Sequence, residues 1–123
     1  MAPTNQYRTR LITTAEMAEI TCALGDDIYV NFPVPIIQDI RKHIPNPRLS
    51  GSTQAIGGYL IFRIFFNEQV SQKHNTIVAE ISALSSELWN SAEPNVRRTF
   101  NQLAEQTMLK FREEAPYIWP DNQ

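Results

Sequence analysis

The sequence predicts an all-α protein, and three observations carry that expectation. No proline occurs between Pro47 and Pro94, so long helices can run there without the lost donor and the clash that proline brings. Residues 57–115 hold three successive segments whose apolar residues recur every three or four positions. The first fifty residues hold five of the eight prolines and no long periodic run. They predict an N-terminal extension over 1–50, partly irregular, with one or two short helices, ahead of a helical domain over 51–120.

Taken in order, Thr13-Thr14-Ala15-Glu16 has the spacing of a capping box, and Met17, Ile20 and Leu24 follow at helical intervals before Gly25. This predicts a first short helix. Ile28 to Phe32 is β-branched and aromatic but runs into Pro33, which fits an edge strand or an extended segment. Pro35 can open a second short helix carrying Ile36, Ile37, Ile40 and Ile44, and Pro45 to Thr53 reads as a linker. From Tyr59 to His74, Tyr59, Phe62, Phe66 and Val70 form a stripe that Leu60, Ile61, Ile64 and Phe65 widen nearly all round. Such a helix has to be covered on more than one side. Thr76 can cap a helix carrying Ile77, Ile81, Leu84 and Leu88, ending near Trp89. Ser91-Ala92-Glu93-Pro94 starts the last helix, whose stripe is Val96, Phe100, Leu103, Ala104, Thr107, Met108 and Phe111.

Composition narrows the function. At 123 residues the chain suits one domain, and no apolar run reaches the ~18 residues of a membrane-spanning helix. The start, MAPTNQYRTR, lacks the apolar stretch of a secretory signal. Cys22 is the only cysteine, so no internal disulfide can form, which fits a reducing compartment. It is expected to be a small buried residue. His43 and His74 lie 31 residues apart with no nucleophile motif and no ligand spacing, so neither an enzyme nor a metal or cofactor site is expected. The glycines of 51–58 lack the Lys-Ser/Thr pair of a phosphate loop.

Charge distribution says more than the net charge of -2. Between Ile40 and Asn67 there is no acid, and Arg41, Lys42, His43, Arg48 and Arg63 fall in that window. A basic arm leading into an apolar segment, Tyr59-Leu60-Ile61-Phe62, has the parts of a minor-groove binder: cations for phosphates and a side chain to push between base steps. The same pattern also fits a solvated linker beside a core helix.

The stretch from about Gly57 to Pro120 resembles the high-mobility-group (HMG) box, in the form found in fungal mating-type transcription factors. The resemblance rests on Gly57-Gly58-Tyr59-Leu60-Ile61-Phe62-Arg63, on Glu80-Ile81-Ser82 with Trp89 eight residues after Ile81, on Leu103-Ala104-Glu105-Gln106 and on Phe111 to Tyr117. It implies an L-shaped three-helix domain over 51–120, with Tyr59, Phe62, Trp89 and Phe100 in the core where the arms meet. It also implies a nuclear transcription regulator that bends DNA from the minor groove. Carried over by position, Leu60 stands where the family places its wedge, Arg63 where an arginine meets phosphate, and Ser82 where a serine approaches DNA. With Arg41, Lys42, Arg48, Gly57 and Tyr59 these are the candidate DNA-binding residues.

Departures from the family temper the affinity expected. Its base-reading asparagine is here Gly57, its alanine is Gly58, and Val78, Ala79 and Ala83 replace polar or basic residues of its second helix. Weak, poorly specific binding is therefore expected. The alternative is a divergent box that serves as a protein-interaction module, docking on another box protein or a regulatory protein.

Overall fold

A computed structural model describes residues 7–24, 28–44, 56–74 and 78–118. Its first elements are strands: β1 (Arg8–Thr13), β2 (Ala18–Ala23) and β3 (Tyr29–Pro33), joined in an antiparallel sheet of order β1-β2-β3. Four helices follow, α1 (Ile37–His43), α2 (Gly58–His74), α3 (Val78–Asn90) and α4 (Pro94–Ile118). The all-α expectation is thereby corrected, and with it the simple L-shaped three-helix domain, because a sheet packs on the helices.

The physical reason lies in residues 13–24. Thr14 caps a turn, not a helix: its hydroxyl accepts the N–H groups of Glu16 and Met17, and its own N–H donates to the Met17 carbonyl. The chain reverses there, and Thr13 pairs with Ala18, Leu11 with Ile20 and Thr9 with Cys22. Ile20 and Cys22 then alternate inward with period two and are fully buried. The apolar spacing of Met17, Ile20 and Leu24 also fits a helix, but burial of Thr9, Cys22 and Val30 on the sheet's inner face decides for strands. The segment from Ile28 is the edge strand β3, with Val30 and Phe32 buried. The linker 45–53 and the Thr76 cap lie outside the described residues.

The inner face of the sheet lies against α2 and the end of α3. Phe62 is the hub. Its ring meets Phe32 of β3 at 6.2 Å, stacks on Phe66 at 5.7 Å, and meets Trp89 and Phe100 at 5.6 Å each. Offset and edge-on contacts of this kind add to the stabilisation that ring burial supplies. The nearly all-round hydrophobicity of α2 is thus explained: the sheet, α3 and α4 each cover part of it.

The buried hydroxyls are paired, whereas the side-chain oxygens of Asn67, Gln69 and Asn95 are buried with no hydrogen-bond partner among the described residues. The Thr9 hydroxyl donates to the Leu88 carbonyl at 3.0 Å, tying β1 to the last turn of α3. Thr107 donates to the Leu103 carbonyl at 2.7 Å within α4. The connection from α3 to α4 is held by Arg97, whose guanidinium donates to the carbonyls of Trp89, Asn90 and Ala92 at 3.2, 3.4 and 2.8 Å. Trp89 and Asn90 are among the last carbonyls of α3, which have no partner within the helix, and Ala92 lies in the connection itself.

Candidate nucleic-acid interface

α2 and α3 form a hairpin whose first and last turns meet through aromatic and hydroxyl groups. Tyr59, half-buried, lies 5.9 Å from the Trp89 ring. Its hydroxyl is 3.3 Å from that of Ser85, which is itself 2.9 Å from the Ser82 carbonyl. Ser85 has one proton and gives it to that carbonyl, so Tyr59 is the donor to Ser85. The Arg63 guanidinium stands over the Tyr59 ring at 5.8 Å, a cation–π contact that holds the charge at the α2 surface.

Tyr59, Arg63 and Ser85 are therefore brought together, with Leu60 next to Tyr59 on α2 and Ser82 one turn before Ser85 on α3. At 100° per residue, Leu60 and Ile64 lie about 160° around α2 from Phe62. Phe62 faces the sheet and α4, so these two face away from both, and each is only half-buried. Arg63 flanks them on the α3 side. Gly57 immediately precedes α2, and its carbonyl accepts the Ile61 N–H at 3.3 Å. It is exposed, and a side chain there would meet no atom within 4 Å. Gly58, by contrast, is buried, and a Cβ there would stand 2.8 Å from the Asn101 backbone nitrogen. Its bareness lets the start of α2 lie directly on α4.

The other sequence-chosen cations do not join this region. Arg41 sits on α1 with its guanidinium 5.3 Å from the Phe111 ring of α4. Lys42 lies 3.8 Å from Asp39 on the same exposed helix. Arg48 lies outside the described residues. α1 packs instead on α4, and it meets the opposite flank of α2 at His43, whose ring is 4.9 Å from Phe65. One His43 nitrogen, Nδ1, is 2.9 Å from the Asp39 carbonyl, and the other, Nε2, is 3.1 Å from Glu68. The carbonyl bond first and the Glu68 bond second raise the His43 pKa above its ordinary value.

Ser85 was missed as a site residue because a serine in a helix carries no sequence signal; only the approach of Tyr59 gives it a role. Cys22 is buried as expected, though in a strand, and burial pushes its thiol pKa up to about 12, against a smaller lowering by Thr9. It is an inert core group. No group of three His, Cys, Asp or Glu residues among those described is placed to hold a metal ion. No described helix is long and apolar enough to cross a membrane. No family model, curated protein or solved structure matches this chain.

Proposed function

We propose that the outer face of the α2–α3 hairpin binds DNA weakly from the minor groove and bends it, in the manner of the HMG boxes that residues 57–120 resemble. In this role the protein acts as a nuclear regulator of transcription, of the mating-type kind. One observation carries the proposal: Leu60, half-buried at the edge of the core and beside Arg63, stands on the side of α2 turned away from both the sheet and α4. An apolar wedge next to a cation is what minor-groove bending requires, because the wedge unstacks a base step while the cation meets a phosphate. The aromatic contacts of Tyr59 and Phe62 with Trp89 support a rigid hairpin behind the wedge.

Fluorescence anisotropy against labelled duplex and four-way-junction DNA at two salt concentrations tests this. Each phosphate contact contributes about -0.9 to the slope of log affinity against log salt, so a shallow slope of about -1 to -2 is expected. Arg63→Gln should flatten it by about one contact. Leu60→Ala should leave the slope unchanged but reduce bending, read as end-to-end energy transfer. A slope of zero with no bending at low salt rejects DNA binding.

A protein-interaction role is the second reading, favoured by the engagement of the cations. Arg41 lies on Phe111, Lys42 beside Asp39, Arg10 beside Glu93 and Arg97 on three carbonyls, so of these side chains none is committed to the Leu60 face.

A further inference from the structure

The two outer strands of the sheet are finished differently. At β1, Thr9 turns its main chain toward the α3–α4 connection, bridging Ala92 and accepting the Glu93 N–H at 3.1 Å. Arg8 and Arg10 stand on that strand, Arg10 3.5 Å from Glu93. A covering segment and charged side chains are the usual means of preventing a sheet edge from pairing further.

β3 has neither. Its bonds to β2 run through even-numbered residues: Leu24 donates to the Ile28 carbonyl, Val34 donates to the Ala18 carbonyl, and Val30 and Phe32 stand opposite Cys22 and Ile20. Main-chain direction alternates along an antiparallel strand, so the N–H and C=O of Tyr29 and Asn31, and the Pro33 carbonyl, point away from the sheet. Among the described residues none of these has a main-chain partner. From Ile28 to Gln38 there is no charged residue, and Ile28 and Tyr29 are 51% and 57% exposed.

We propose that β3 pairs with β3 of a second copy of this chain, antiparallel about Val30, joining two three-stranded sheets into one of six strands. The free groups of the edge are self-complementary in this register. Tyr29 stands opposite Asn31 of the second copy, each such pair exchanges both of its bonds, and Pro33, which has no N–H, falls outside the ladder. A second copy fits because its edge presents the same donors and acceptors in complementary order, and from Ile28 to Gln38 neither facing strand carries a charge to repel the other. The ladder is short, bounded by Pro33 and Pro35, which makes the dimer a weak one.

Sedimentation velocity from about 1 µM to about 1 mM, the range in which a small interface associates, should give a monomer–dimer equilibrium. Amide hydrogen exchange at Tyr29 and Asn31 should slow as concentration rises. Tyr29→Lys changes an exposed side chain and leaves the monomer's circular dichroism intact; it should raise the dimer Kd at least about tenfold. Asn31→Pro removes a ladder donor that the monomer does not use, and should abolish dimerisation. A protein that stays monomeric throughout overturns the proposal. So does a dimer that ignores Tyr29→Lys and leaves the Tyr29 and Asn31 amides unprotected.

Discussion

α2 alone buries Ile61, Phe62, Phe66 and Val70, whereas no strand of the sheet buries more than two side chains: Thr9 on β1, Ile20 and Cys22 on β2, Val30 and Phe32 on β3. A large apolar side chain fully buried contributes about 1.5–3 kcal/mol, so the helical layer supplies most of the core, and the sheet depends on it for a surface to cover. The difference concerns connection as well as amount. The helices meet each other through several aromatic contacts, while in that cluster the sheet is represented by Phe32 alone. Phe62 is where the two layers are joined.

Phe62→Ala is the largest break available. It removes a fully buried ring and leaves a cavity between sheet, α3 and α4, at a cost of about 3–5 kcal/mol. Chemical denaturation followed by far-ultraviolet circular dichroism and by tryptophan fluorescence should show both probes moving together to lower denaturant. Probes that separate, with the helical signal surviving, would show the helical layer standing without the sheet.

The next effect tests how α2 is seated. Gly58→Ala puts a methyl group against the Asn101 backbone, which cannot rotate out of the way as a side chain could, and should cost about 1–3 kcal/mol despite alanine's better helix propensity. Gly57→Ala meets open space and should change stability by less than about 0.5 kcal/mol. Equal effects at the two glycines would mean that α2 does not rest on α4 at Gly58. Thermal melts of the pair decide it.

The same contrast between layers explains what could be read in advance. The stripes of α2 and α4 repeat over four or more positions, enough to separate period 3.6 from chance, and Tyr59, Phe62, Trp89 and Phe100 meet in one cluster. A strand of five or six residues offers two or three inward positions, and on β1 the fully buried one is a threonine. Thr14 satisfies its neighbours' N–H groups equally well in a turn as in a helix cap, so residues 13–16 carried no information about which would form. Within the candidate site, Leu60, Arg63 and Ser82 were legible because they share one helical hairpin. Arg41 and Lys42 are near them in sequence, yet α1 packs on α4 and meets the other flank of α2, a placement held by the buried Ile40 and by the Arg41–Phe111 and His43–Phe65 contacts.

Thr9 tests the second tie between the layers. Thr9→Val keeps the shape of the side chain but removes the nearer of the two side-chain donors to the Leu88 carbonyl, leaving it the Ser91 hydroxyl at 3.3 Å. The cost should be about 0.5–1.5 kcal/mol, and Thr9→Ser, which restores the hydroxyl, should recover part of it. If Thr9→Val is neutral in denaturant melts, the sheet is held by Phe32 and Phe62 and not by this bond.

The smallest effect belongs to the exposed pair that α1 makes with α2, beside the buried Ile40 and the Arg41–Phe111 contact. When His43 is protonated both ring nitrogens donate, one to the Asp39 carbonyl and one to Glu68. A folded-state pKa raised above the unfolded value means that protonation is favoured by folding, so the contribution is fully present below about pH 6.5 and is lost as pH rises through the raised value. An exposed pair of this kind is worth less than about 1 kcal/mol and weakens with salt. The melting temperature measured from pH 5.5 to pH 8.5 should fall slightly more in the wild type than in His43→Gln, and 1 M salt should narrow the gap. An identical slope in both proteins would show that α1 is held by Ile40 and the Arg41–Phe111 contact alone.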